Sequence, residues 1–108
     1  MGTQAQAYQF RDVFDQIFTF KGTYDPANVA TGLGTQVTQT FTVPGVALGD
    51  IVLGVSFSLS TGGLVFNGAV TAANTVTVTV MNNTAGAVDL ASGTILICAG
   101  RPNASAFV

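Results

Sequence analysis

Chemistry in a protein needs side chains that hold charge, protons or metals, and this chain has few. It contains no histidine and no glutamate, which removes the commonest base and metal ligand near neutral pH. The carboxylates are Asp12, Asp15, Asp25, Asp50 and Asp89, scattered along the sequence. Only Asp12 and Asp15 are close; three apart on a helical turn they share a solvated face. Asp25, Asp50 and Asp89 each stand alone in a turn segment. A calcium site wants several oxygens from one loop, so these read as turn aspartates and no metal site is expected. The single cysteine, Cys98, lies in Thr-Ile-Leu-Ile-Cys-Ala. A nucleophilic thiol needs a neighbouring base or positive charge, and only Arg101 stands nearby. The expectation is a small buried hydrophobe in the last strand.

The glycine-rich spots give no more. Gly32-Leu33-Gly34 and Thr61-Gly62-Gly63 lack the lysine of a phosphate loop and the third glycine of a dinucleotide fingerprint, so both read as turns. Three basic residues leave no electrostatic footprint for nucleic acid. The reading is a non-enzyme without cofactor, catalytic residue or nucleic-acid partner.

What remains is β-strand pattern. Val76, Val78 and Val80 alternate with Thr75, Thr77 and Thr79, which places valines on one face and threonine hydroxyls on the other. Both types are β-branched and suit a pleated surface. The same period of two runs through Thr35–Val43, with Val37, Gln39, Phe41 and Val43 opposite Gln36, Thr38, Thr40 and Thr42. It runs again through Ile51–Leu59, which puts Ile51, Leu53, Val55, Phe57 and Leu59 together. Leu64–Val70 is a strand with a bulge or bend expected at Asn67-Gly68. A short strand around Ala87–Leu90 and a last one at Thr94–Ala99 follow, and Arg101-Pro102 closes the ladder. Pro44-Gly45, Gly49-Asp50, Gly62-Gly63, Asn82-Asn83 and Ser92-Gly93 supply the turns. The spacing predicts an all-β, antiparallel sandwich or jelly-roll-like domain of about seven or eight strands.

The first 24 residues are a different kind of sequence. Six of the ten aromatics, Tyr8, Phe10, Phe14, Phe18, Phe20 and Tyr24, precede residue 25. Residues 1–24 read as an N-terminal arm and 25–108 as the β domain. Arg11–Gln16 suits a helical turn leading into a strand at Ile17–Lys21. The group Tyr8, Phe10, Phe14, Ile17, Phe18 and Phe20 either covers an open end of the core or docks on a partner. Under the docking reading, removing residues 1–20 leaves a folded domain that no longer binds.

Only 7% of the residues are charged, against about a quarter in an ordinary soluble domain. Low charge on a free monomer is a solubility liability, so much of the surface is expected to be covered in an assembly. Thr75, Thr77 and Thr79 are the candidate subunit interface, because an uncharged face is buried at little desolvation cost. No apolar run approaches the ~18 residues of a membrane helix, and too few strands are present to close a small outer-membrane barrel. The start MGTQAQAYQF has no basic or apolar leader pattern, so the expectation is synthesis in a reducing cytosol without export.

The strand ending in Val43-Pro44-Gly45, the following Gly49-Asp50, the run Val70 to Val78, then Asn83, Val88-Asp89 and a final apolar strand resemble a small β domain of tailed-phage virion proteins. Asp25 to Thr35 resembles that family's lead-in, and the resemblance covers about residues 25–101. It implies a trimeric β-sandwich that decorates (cements) the phage head by docking on the major capsid protein, located on the capsid surface and made in the host cytoplasm. It equally implies a head-fibre base or tail adaptor; the shortness of the chain favours decoration, since no shaft or receptor-binding part is left over. It carries over no catalytic residue. A glycan-binding module is the remaining class, disfavoured by the lack of tryptophan and by both tyrosines preceding residue 25.

Overall fold

The computed structural model describes residues 13–31 and 35–103. Six antiparallel strands form two three-stranded sheets: β1 (Phe14–Tyr24), β2 (Gln36–Thr42), β3 (Ile51–Phe57), β4 (Leu64–Ala72), β5 (Thr75–Asn82) and β6 (Gly93–Pro102). One sheet has the order β1-β6-β3 and the other β2-β5-β4. Their inner faces share one core. Val76, Val78 and Val80 of β5 meet Ile95, Ile97 and Ala99 of β6, with Phe18, Tyr24, Phe41 and Leu64 around them.

The β5 alternation is the cleanest outcome of sequence pattern. Its three valines are fully buried while Thr75, Thr77 and Thr79 lie half-buried on the other face. The β2 alternation holds as well: Phe41 and Val43 are buried, and Gln36, Thr38, Thr40 and Thr42 are exposed. Tyr24 packs edge-on against Phe41, its ring 5.3 Å away at 88°, and Phe20 lies tilted at 50° with its ring 5.4 Å from Phe41.

Four expectations need correction. The face of β3 is not Ile51–Leu53–Val55–Phe57. The register with β6 slips between Val52 and Gly54, and this bulge inserts Leu53 as the extra residue. Val52, Val55 and Phe57 therefore pack against the core, and Ile51 and Leu53 face outward, 40% and 43% exposed. Leu59 lies beyond the strand and is also exposed. Second, Asn67-Gly68 is not a bulge: pairing with β5 is continuous there and shifts only between Val70 and Ala72. Gly68 serves close packing instead, since a Cβ on it would come within 2.9 Å of Val55 and 3.2 Å of Val52.

Third, Ala87–Leu90 forms no strand. It contributes a single bridge, Val29 to Val88, through reciprocal backbone bonds of 2.9 and 3.0 Å. The Asn82 amide organises this region by donating to Val29 O and Gly86 O, while its oxygen accepts from Thr84 N. Those side-chain bonds replace a ladder. Fourth, no seam follows residue 24. Phe14–Tyr24 is an intact strand paired with β6 from Phe14–Pro102 to Tyr24–Gly93. The described part of the expected helical turn is extended from Phe14 onward, and Arg101-Pro102 lies within β6. Six strands, not seven or eight, are present among the described residues.

The Val43–Asp50 loop is fixed at one end of the core by the β4–β5 connection. Asn74 sits in the two-residue β4–β5 connection at φ 60°, a conformation Asn tolerates. Its side-chain oxygen accepts from Gly45 N, and its backbone N–H donates to Val46 O. Gly45 itself is at φ +97°, and a Cβ there would lie 2.7 Å from the Phe18 ring.

Candidate docking surfaces

Sequence placed Tyr8, Phe10, Phe14, Ile17, Phe18 and Phe20 in one docking group, and the structure separates them. Tyr8 and Phe10 lie outside the described residues. Phe18 is buried in the core and Phe20 packs against the core and Phe41, because β1 turns these alternate residues inward. Phe14 precedes a register shift and its ring lies over Gly100, where a Cβ would sit 2.7 Å from it. Ile17 shares that outer side, 3.3 Å from the same position.

The outer face of the β1-β6-β3 sheet is the first candidate surface. Its rows are Ile17–Gly100–Ile51, Thr19–Cys98–Gly54 and Lys21–Leu96–Ser56 across the three strands. Small residues at Gly54, Ser56 and Cys98 leave a shallow groove of about 470 Å³, flanked by Thr19, Lys21 and Leu96. Leu96, at 47% exposed, is its most open apolar side chain, and Leu53 stands beside Gly54 at the edge. Cys98 is half-buried on this face, not a core residue, because Ile95, Ile97 and Ala99 hold the inward positions of β6. Sequence reasoning missed this face. The β3 bulge hid the outward turn of Ile51 and Leu53, and the continuous apolar run of β6 gave no phase.

The second surface is the outer face of the β2-β5-β4 sheet. Register brings Thr38, Thr40 and Thr42 beside Thr79, Thr77 and Thr75. Asn67 and Ala69 flank Thr79 and Thr77 on the other side. The Thr71 and Thr77 hydroxyls hydrogen-bond at 2.8 Å, and Thr75 Oγ1 donates to Ala73 O. The face carries hydroxyls, methyls and amides and no charged side chain. Thr75, Thr77 and Thr79 are half-buried by these neighbours within a single chain.

Charge is concentrated elsewhere. Arg101 Nε and Nη2 donate to the two oxygens of Asp50 at 3.1 and 3.0 Å, and Nη2 also donates to Gly45 O at 2.9 Å. Nη1 donates to Gln16 Oε1, and the guanidinium lies 5.2 Å from the Phe18 ring centroid. The Asp50 side chain is only 5% exposed and its Oδ2 also accepts from Ala47 N. Burial opposes ionisation of Asp50, but the Arg101 and Ala47 hydrogen bonds and the Arg101 charge outweigh it and hold the carboxyl below its usual value. Asp50 is thus a loop-anchoring turn residue. Burial pushes the Tyr24 phenol up.

Among the described residues no group of three His, Cys, Asp or Glu side chains comes together to hold a metal, and no helix is long and apolar enough to cross a membrane. No protein-family model, curated protein or solved structure matches the chain.

Proposed function

We propose that this chain is a structural virion protein, a β-sandwich that decorates and cements the head of a tailed phage by docking on its major capsid protein as a homotrimer. One observation carries the reading: two broad outer sheet faces carry a single charge between their central rows, Lys21, while Arg101 and Asp50 pair with each other at one end of the core. Large uncharged faces are costly to leave in water and cheap to bury against protein. The groove's titratable side chains are Cys98 and Lys21, with no carboxylate among its lining residues to serve as a base, and this favours assembly over catalysis. The threonine face serves as subunit interface, and the Leu96 groove with Ile17 and Phe14 serves as the capsid-facing side. Attachment is mechanical: apolar area buried at roughly 25 cal/mol per Å² offsets the ordering cost of association.

The structure changes the truncation that tests this. Removing residues 1–20 deletes most of β1, including Phe18, and is expected to unfold the protein. Removing 1–12 spares every described strand. The test is co-sedimentation of the full chain, the 1–12 deletion and Leu96→Asp with purified phage heads lacking decoration. Saturable binding by the full chain, lost in Leu96→Asp with the fold intact, supports the reading. Failure of the full chain to bind heads while binding tails moves the protein to the adaptor class, and failure to bind either overturns the virion reading.

A further inference from the structure

The four edge strands of the two sheets are not equally protected. β1 carries Asp15, Lys21 and a register shift at Phe14–Gln16. β3 is bulged at Leu53, and β4 is irregular near its end and packs against β3. Charges, bulges and covering elements are how natural edges avoid pairing with other chains. β2, with the sequence Gln36-Val37-Thr38-Gln39-Thr40-Phe41-Thr42, has no charge, no proline and no register shift. Among the described residues it pairs on one side only, with β5.

Its backbone shows which groups are free. Asn82 N donates to Thr35 O and Val43 N donates to Asn74 O, so the odd-numbered residues of β2 bond to β5 in the antiparallel alternation. The N–H and C=O groups of Gln36, Thr38, Thr40 and Thr42 therefore point away from the sheet. In the single chain the Thr40 carbonyl is met by the Gln39 side-chain amide at 3.3 Å.

We propose that the β2 edge pairs antiparallel with β2 of a second copy about a two-fold axis at Gln39, joining two β2-β5-β4 sheets into one. The strand is chemically self-complementary about that residue. Thr38 meets Thr40 of the second copy, Gln36 meets Thr42, and Val37 meets Phe41. Threonine pairs and aromatic–β-branched pairs are favoured across strands, and the two Gln39 amides lie opposite one another. The outward N–H and C=O groups of Thr38 and Thr40 fall in the hydrogen-bonded positions of this register. The threonine faces of both copies become one continuous surface. Such a contact is isologous and is independent of the virion reading; on a particle it would link neighbouring three-fold units through two-fold positions.

The test is cross-linking of the full chain in a Cys98→Ser background. Gln39→Cys places two thiols opposite one another, whereas Thr42→Cys places them at opposite ends of the paired strands. Under mild oxidation at micromolar to millimolar concentration, Gln39→Cys should form covalent dimers roughly tenfold faster or more than Thr42→Cys, as local concentration dictates. Adding Thr40→Pro removes an outward N–H without touching the β2–β5 ladder and should bring Gln39→Cys down to the Thr42→Cys rate. Thr40→Lys is the second variant should proline disturb folding. Equal rates for the two cysteine positions, or a Gln39→Cys rate unaffected by Thr40→Pro or Thr40→Lys, would overturn the proposal.

Discussion

Adjacent residues of β6 should behave oppositely when truncated. Ile97 is 1% exposed and faces the core, while Leu96 is 47% exposed and faces the groove. Ile97→Ala removes three buried carbons, about 2.4 kcal/mol at about 0.8 kcal/mol per carbon. The site is walled by sheet on both sides and collapses little, so a cavity of roughly 50 Å³ adds about 1.2 kcal/mol at about 24 cal/mol per Å³. The expected loss is about 3.5 kcal/mol, or a fall in Tm of about 15–25 °C for a domain of this size. Leu96→Ala removes the same number of carbons from a side chain already half in water, with no enclosed cavity. Its expected cost is about 1 kcal/mol or less. Urea denaturation followed by circular dichroism measures both, with an unchanged slope confirming that the unfolded states are comparable. Equal losses, or a larger loss at Leu96, would refute the assignment of β6 faces and with it the groove as an outer surface.

Four further outcomes follow from named contacts. Asp50 is held ionised below its ordinary range, so it stabilises the fold above about pH 4 and the stability is lost as pH falls through its depressed folded value; Asp50→Asn should lower stability near neutral pH and flatten that acid limb in a denaturation series. Removing Arg101 instead leaves the buried Asp50 carboxyl without its cation, so Arg101→Met should gain stability relative to wild type on acidification, and an unchanged difference across that range contradicts the reading. Gly45→Ala combines a disfavoured φ with a Cβ 2.7 Å from Phe18 and should cost about 2 kcal/mol or more in thermal unfolding. Asn82→Leu leaves Thr84 N without its acceptor and removes one of the two donors to Val29 O and to Gly86 O, which keep Val88 N and Thr84 Oγ1; it should cost about 1–3 kcal/mol, with hydrogen exchange accelerating first at Thr84 and Val88.

How much of this was legible depends on how local the cause was. The β5 alternation is a period-two pattern of one residue type on each face, so Val76, Val78 and Val80 declared themselves as core. The β3 phase did not, because one inserted residue, Leu53, reverses every side chain on one side of it, and an apolar residue at the bulge looks like another member of the alternation. Cys98 was misplaced for a related reason: Ile95, Leu96 and Ile97 are all apolar, and only strand pairing shows which alternate positions face inward. The three β2 threonines were legible on their own strand, but their joining to Thr75, Thr77 and Thr79 needs register. Asn82 with Val29, and Arg101 with Asp50, are partners more than fifty residues apart in sequence, and no spacing rule connects them. The aromatic group before residue 25 was legible as a group but not in its division, since only the pairing of β1 shows that Phe18 and Phe20 turn into the core while Phe14 and Ile17 lie on the outer side.

The central claim is that the uncharged faces serve attachment to a phage head. Immunogold labelling of intact tailed-phage particles, with an antibody raised against the full recombinant chain, tests it most directly. The account predicts gold on the head surface in regular array, with labelling blocked by excess wild-type protein. Gold confined to the tail, or particles without label while the protein stays free in the lysate, would contradict it.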